Sequence, residues 1–456
     1  MLELDPMVLN VFTEKTVKMK KMLKSNGILN VAAVMAGLVL MVPCASALEL
    51  ITADAEGNTL NLDGTLQMLG VIEGLDDPYK DSDRLLLFMK QARLHLHGTY
   101  SAVDYELRLM FGGEEVPESN TVMSLLDASA NIPFVEDAFE VKLGQFKVPY
   151  GRERLVASED MFNAERSIHN LFFNIGRDVG VAAHTRHGIF TGAVGVFTGG
   201  GINRPQRYIP EDLDLPMFVA RVGVNDGLDK DVFNPIDAKR DMGTVNYAAF
   251  LNAMVSGDSR VGHSSPVNIK KLDKPLTLNP DWNPYVAAAG QKAELAQFGA
   301  DVAVQFPVAE DVSLLLSGEV NYSTFENDKG KLEHVGGVAS ANLFFSDWMI
   351  GIRYAIVDPD SDLAYTLKNA DTGEVSLHSI TDKPIHEITP SVVYFLRKYN
   401  VKIVADIAIQ LDAPVAVEAG NGVYNLMQQP DQVKYVAKSV ELQDTYLAKM
   451  VVQYNF

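Results

Sequence analysis

The chain has 456 residues, 47% of them hydrophobic and 21% charged, with a mean hydropathy of +0.03. That balance excludes a disordered chain, which lacks the apolar surface, and a helical membrane protein, which carries far more of it. A formal net charge of −20 and a pI of about 4.9 argue against nucleic acid or an acidic membrane surface as the main partner.

The first element is a short apolar run, Ile28 to Val42, too short and too close to the N-terminus for a membrane-spanning helix. Lys18, Lys20, Lys21 and Lys24 precede it and Ala45-Ser46-Ala47 follows, the basic, apolar and small-residue parts of a cleaved secretory signal. Cleavage is expected after Ala47, with Met19 or Met22 as alternative starts. Residues 1–47 are therefore read as an N-terminal extension and signal peptide, and residues 48–456 as one domain. The only cysteine, Cys44, falls inside the signal, and Pro43 before it makes a poor lipoprotein site. A mature chain without cysteine has no disulfide, no thiolate metal site and no covalent haem, and no cofactor is expected.

Beyond the signal, apolar and polar residues alternate over about ten positions at a time, with Gly, Asp, Asn and Pro between the runs, which is the period of strands. Ala92, Leu94, Leu96, Gly98 and Tyr100 oppose Gln91, Arg93, His95 and His97. Phe298, Ala300, Val302, Val304 and Phe306 oppose Asp301 and Gln305, and Trp348, Ile350, Ile352 and Tyr354 oppose Arg353. At the C-terminus Tyr446, Ala448, Met450, Val452, Tyr454 and Phe456 oppose Thr445, Lys449, Gln453 and Asn455. Aromatic residues end the apolar faces, as an interfacial girdle requires.

From Thr59 to Phe456 the pattern yields about 16 strands. Short links at Ser101-Ala102-Val103, His187-Gly188, Pro307 to Asp311, Phe345-Ser346-Asp347 and Arg397 to Asn400 alternate with long ones. The long links include Gly257 to Leu295, Asp358 to Pro384 and Leu411 to Leu442. Gly227 to Gly243 breaks this rule, being long where a short turn is due; a missed strand or a large loop would each explain it. The fold class expected is all-β, a transmembrane antiparallel β-barrel.

The stretch Gly144-Gln145-Phe146-Lys147-Val148-Pro149-Tyr150-Gly151, continued by Glu153, Ser158 and Glu165-Arg166-Ser167, resembles the characteristic segment of the phosphate-selective porin O and P family. Arg177-Asp178-Val179-Gly180 and the terminal Phe456 fit the same family. The resemblance implies an outer-membrane porin of a Gram-negative bacterium: a homotrimer of 16-stranded barrels passing small solutes or inorganic anions. It also implies contact with outer-membrane lipid and lipopolysaccharide, and a third loop folded into the lumen. That loop is Pro149 to Arg177, with Arg152, Arg154, Arg166 and Arg177 as candidate constriction residues. The terminal Phe456 reads either as an assembly signal or as an ordinary girdle aromatic.

Turning each apolar face to lipid sends Arg93, Arg108, Lys142, Arg186, Arg221, Arg353, Lys402 and Lys449 inward, together with Glu106, Asp127, Glu140, Asp178, Asp301, Glu319 and Asp406. Two readings of this mixed wall stand: an anion path built on the cations, or cross-strand pairs that fix the wall. The loop arginines likewise either line the constriction or tie the loop down through Glu153, Glu159 and Glu165. His95 and His97 lie two apart on one lumen face, but no third ligand is evident near them, so no metal is expected. No catalysis is expected either; Ser158 or Ser167 with His169 is the nearest approach to a hydrolase site. A third reading is a barrel that sheathes or anchors a secreted partner.

Overall fold

The computed structural model describes residues 48–51, 57–75, 84–111, 123–135, 139–199, 216–235, 243–257, 277–278, 294–327, 330–360, 364–368, 375–379, 383–396, 400–418, 423–425 and 437–456. The expected signal, residues 1–47, lies outside them. Sixteen strands form the wall. The first eight are β1 (Leu60–Leu75), β2 (Arg84–Tyr100), β3 (Val103–Phe111), β4 (Met123–Val135), β5 (Phe139–Lys147), β6 (Arg177–His187), β7 (Phe190–Phe197) and β8 (Met217–Asp226). The second eight are β9 (Asn246–Ser256), β10 (Glu294–Ala309), β11 (Val312–Asn327), β12 (Gly330–Phe345), β13 (Trp348–Asp358), β14 (Ile385–Leu396), β15 (Val401–Glu418) and β16 (Ala437–Asn455).

Each strand pairs antiparallel with the next, and β16 pairs with β1 from Thr65↔Asn455 to Leu75↔Thr445, which closes the barrel and leaves the wall no free edge. Phe456 seals this seam: Gly64 N–H donates to its carbonyl and its own N–H to the Gly64 carbonyl, both at 3.0 Å. A Cβ at residue 64 would strike the Phe456 ring, so only glycine fits there. Leu48–Ile51 pairs with β1, Val423–Asn425 pairs antiparallel with the end of β15, and Thr277–Leu278, Ala364–Lys368 and Val375–Ser379 make a separate small sheet.

The alternation read from the sequence sorts the two faces. Leu94, Val302, Ile350 and Ile352 are exposed on the outside, whereas Gln91, Asp301, Gln305, Arg353, Thr445 and Gln453 are buried inside. An apolar outer wall has no water-facing function; in hydrocarbon it is the low-energy surface, because every backbone group is already paired in the ladder.

Seven connections lie at one end and eight at the other. At the short-turn end, Ser101 and Ala102 take φ of 50° and 66°, the left-handed pair that suits the strand twist in a two-residue hairpin. The Pro307 to Asp311 link is tighter than expected, a turn at Glu310 and Asp311, because β10 continues to Ala309. The Leu411 to Leu442 link also shrinks to residues 419–436, since β15 and β16 pair well beyond the expected strand ends. At the long-link end one connection, 328–329, is short.

The anomalous link at Gly227 to Gly243 holds no strand in its described part, residues 227–235 and 243. Leu228, Asp229, Val232 and Phe233 are instead buried, so this segment folds back into the lumen from the short-turn end.

Candidate constriction of the lumen

The third long link, residues 148–176 between β5 and β6, folds inward from the opposite end. The Val148 N–H donates to the Gly176 carbonyl at 3.0 Å and pinches its base. The loop carries two short helices, α1 (Arg152–Leu155) and α2 (Ile168–Phe173). Tyr150, Leu155, Ile168 and Phe172 are among the most buried side chains of the protein, so the loop has an apolar core of its own inside a polar wall. Gly151 starts α1 at φ 67°, and a Cβ there would lie 2.6 Å from Glu319 Oε1. Glycine is required for the backbone to approach the wall.

Wall side chains then satisfy the loop's backbone on all sides. Lys402 Nζ donates to the carbonyls of Glu159 (2.5 Å) and Met161 (2.8 Å), and Gln453 Nε2 to that of Glu159 (3.0 Å). Lys90 Nζ donates to Ala164 O (2.5 Å), Arg353 Nη1 to Glu165 O (2.9 Å) and Gln297 Nε2 to Phe173 O (2.9 Å). Gln67 Nε2 reaches Ser158 O at 3.2 Å. In the other direction Ala164 N–H donates to Asp406 Oδ2 (2.6 Å) and Glu153 N–H to Glu319 Oε2 (2.8 Å). A buried irregular backbone needs such partners, since each unpaired group costs about 1–3 kcal/mol.

Two charged clusters flank the loop. Toward β8–β10, Arg152 makes a bidentate pair with Asp229 (2.9 and 2.7 Å) and reaches Asp301 Oδ1 with Nε (3.1 Å). Arg221 grips the same Asp301 at 2.5 and 3.0 Å, lies 3.9 Å above the Phe250 ring and also donates to Asn252 Oδ1 at 2.7 Å. Asp229 belongs to the segment that enters from the short-turn end. The two inward loops therefore meet at Arg152.

On the other flank, toward β2–β5, Lys90, Arg93, Lys147, Arg154, Arg166 and Arg177 surround a cavity of about 20 Å³. Arg93 pairs with Glu159 (3.1 Å), Lys90 with Glu165 (2.9 Å) and Arg177 with Asp127 (2.8 Å). Arg108 lies 3.7 Å from both Asp127 and Glu159. Arg166 donates to the carbonyls of Glu153 (3.2 Å) and Val156 (2.9 Å), and Lys147 to that of Leu155 (2.5 Å). A second cavity of about 90 Å³, on the β11–β13 side, is lined by both signs, Glu153, Asp160 and Glu319 with Arg152, Arg166 and Arg353.

Within the loop, burial raises the Glu153 carboxyl, but His169, Arg353 and the Ser167 N–H outweigh it and hold the pKa at about 2. Glu159 is likewise raised by burial and held below the usual range by Arg93, Arg108 and Lys147. Burial and neighbouring Glu159 push Asp160 up. The loop thus keeps ionised carboxylates where it meets cations.

At the short-turn end the lumen opens into a vestibule of about 600 Å³. Lys142 projects there, bonded to Glu106 at 2.8 Å and lying 5.2 Å from the Phe233 ring, while Arg186 is exposed at its rim.

Of the expected site residues, Arg93, Arg154, Arg166 and Arg177 gather at the small basic cavity with Arg108 beside it. Arg152 and Arg221 share Asp301, Arg353 binds Glu165 O and Glu387 Oε1 (3.0 Å), and Lys142 and Arg186 stand apart in the vestibule. Arg152 takes its partners from Asp229 and Asp301, not from the loop acids first considered. The sequence reading missed Lys90, because a bulge at Gln67/Met68 opposite Gln91 and Met89 turns both Lys90 and Gln91 inward. It also missed Asp229, whose only signal was the apolar Leu228, Val232 and Phe233 around it.

Ser167 Oγ donates to Glu153 Oε2 at 2.7 Å and His169 Nδ1 lies 3.4 Å from that same oxygen. Ser158 Oγ contacts Glu159 and Gln91. The expected serine and histidine thus converge on carboxylates, and His169 Nε2 is taken by Asn321 at 3.0 Å.

A closed 16-stranded barrel with an apolar outer wall, a charged inner wall and a loop seated in the lumen is a barrel of the porin class. The family model "Phosphate-selective porin O and P" matches residues 65–208, about a third of the chain, and establishes over that stretch the resemblance read from the sequence. No curated protein matches. Among solved structures, the anion-selective porin from Comamonas acidovorans aligns over 88% of this chain and 100% of its own at 13% identity, with a TM-score of 0.55. The outer membrane channel DcaP of Acinetobacter baumannii aligns over 89% of this chain and 99% of its own (11%, TM-score 0.48), and Salmonella typhi OmpF in complex with daunomycin over 90% and 100% (12%, TM-score 0.48).

Proposed function

We propose that this protein is a homotrimeric porin of the Gram-negative outer membrane whose narrow, loop-lined lumen admits small inorganic anions, phosphate among them. The observation that carries the anion preference is the cavity beside the loop, where Lys90, Arg93, Lys147, Arg154, Arg166 and Arg177 converge. Fixed charge beside a narrow path within low-dielectric walls concentrates the field and selects by sign, and guanidinium groups match the oxygens of phosphate. The long links would face outward and the short turns the periplasm, with lipopolysaccharide and lipid against the apolar outer wall.

The loop seated across the lumen takes wall partners on many sides, which obstructs a threaded partner and favours a channel over a sheath. Single-channel recording of the refolded mature protein under a salt gradient tests the reading. Conductance in three coupled steps, an anion-selective reversal potential and block by phosphate are expected. A cation-selective reversal potential would sink the anion preference, and absence of conductance the channel itself.

A further inference from the structure

The vestibule wall carries a group of side chains well apart from the inward loop. Asp63 on β1 stands opposite His95 on β2 in the ladder, with His97 two residues further along β2, so all three side chains share the lumen face. Asp63 Oδ1 lies 3.2 Å from His95 Nδ1, and Asp63 Oδ2 lies 3.0 Å from His97 Nε2. The three donor atoms fall within 4.8 Å of one another. These separations approach about 3.3 Å, the edge of a tetrahedron with metal–ligand bonds of about 2.0–2.1 Å. The site is reachable from water: the side chains of Asp63, His95 and His97 are 36%, 17% and 35% exposed.

We propose that Asp63, His95 and His97 form a binding site for a divalent transition-metal ion, Zn²⁺ foremost, in the vestibule wall. A second feature points the same way. Once Nδ1 of His95 faces the site, its other nitrogen, Nε2, is buried without a hydrogen-bond partner 3.5 Å from Glu106 Oε2. Glu106 is itself fixed by Ser129 Oγ and Lys142 Nζ, each at 2.8 Å. A carboxylate behind the distal nitrogen sets the tautomer and orientation of a metal-bound imidazole.

Two imidazoles and one carboxylate suit Zn²⁺, Ni²⁺ or Cu²⁺, whereas Ca²⁺ and Mg²⁺ demand six or more, mainly oxygen, ligands. Three protein ligands leave one position of the tetrahedron for water, on the side of the vestibule. The two rings stack 4.4 Å apart between centroids at 20°, and each already turns one nitrogen to Asp63. This inference is independent of what the lumen conducts, and its readout involves no conductance.

The test is titration of the purified full barrel in detergent with CoCl₂, followed by displacement with ZnCl₂. One Co²⁺ per chain with the visible absorption of a tetrahedral nitrogen–oxygen site, abolished by Zn²⁺, is expected. Loss of a residue that merely supports a ligand costs about 10–100-fold in metal affinity, and loss of a ligand costs at least as much. His97→Ala and Asp63→Asn should each weaken binding at least about tenfold, and His184→Ala, elsewhere in the same vestibule, should leave it intact. Heat-modifiable gel migration identifies closed barrels, and either of the two ligand variants suffices if the other fails to close. No Co²⁺ absorption in the wild type, or binding unchanged in a closed ligand variant, overturns the proposal.

Discussion

The inward loop meets the wall differently on its two flanks. Toward β8–β10, Arg152 and Arg221 each find a carboxylate at contact distance, and Asp301 serves both. Toward β2–β5, six cations line one small cavity, where Arg177 pairs with Asp127, Arg93 with Glu159 and Lys90 with Glu165, and Lys147 and Arg166 donate to loop carbonyls. Buried charge that is matched group by group holds two loops in place. Cations gathered around one small cavity add their fields there, so the proposed anion path and the clamp draw on the same residue type on opposite flanks.

The largest way to break this contrast is Asp301→Asn. It leaves Arg221 facing neutral groups in a buried site, while Arg152 keeps Asp229, and breaking the buried Arg221 pair costs about 3–5 kcal/mol. A lower midpoint in urea unfolding from detergent should report it. The adjacent residue tests the opposite face: Val302→Lys puts a cation into lipid, costs about 2–4 kcal/mol near the midplane and should impair insertion without altering selectivity. A smaller effect is expected for Arg154→Gln at the basic cavity, where the reversal potential should move toward zero. Arg186→Gln at the exposed rim should move it less. If the two variants shift it equally, the vestibule governs selectivity and not the loop.

Acid sharpens the comparison most gently. The Glu153 carboxyl, held at about 2 against an ordinary 4.5, contributes stability that is complete above the ordinary value and lost as pH falls through about 2. Conductance steps should therefore stay uniform from pH 7 down to pH 4 and become noisy only near pH 2. Noise beginning at pH 4 to 5 that persists in Asp160→Asn would show that His169 and Arg353 do not hold the Glu153 carboxylate.

The strands were legible because a period of two is local: Gln91, Arg93, His95 and His97 reveal their face without knowledge of the rest of the chain. The inward loop was legible through its resemblance to a known segment. Partner choice was not. Arg152 has Glu153 beside it in sequence, yet it takes Asp229 and Asp301, 77 and 149 positions away, because α1 points it across the lumen. Asp63 escaped notice as a neighbour of His95 and His97 for a related reason. Only the register between β1 and β2 sets it opposite them, and hydrophobic pattern alone does not fix a register to the residue. The bulge that turns Lys90 inward breaks the very alternation from which faces are read.

The ties of the inward loop also carry information about time. Ala164 bonds Asp406, 242 positions on, Lys402 bonds Glu159, 243 positions back, and Gln453 bonds Glu159 across 294. These partners lie on β15 and β16, the last two wall strands in chain order. Contacts of such separation form late, after the intervening chain has been ordered. Seating of the loop is accordingly tied to closure of the barrel, because part of its backbone finds partners only on the two strands that close the wall.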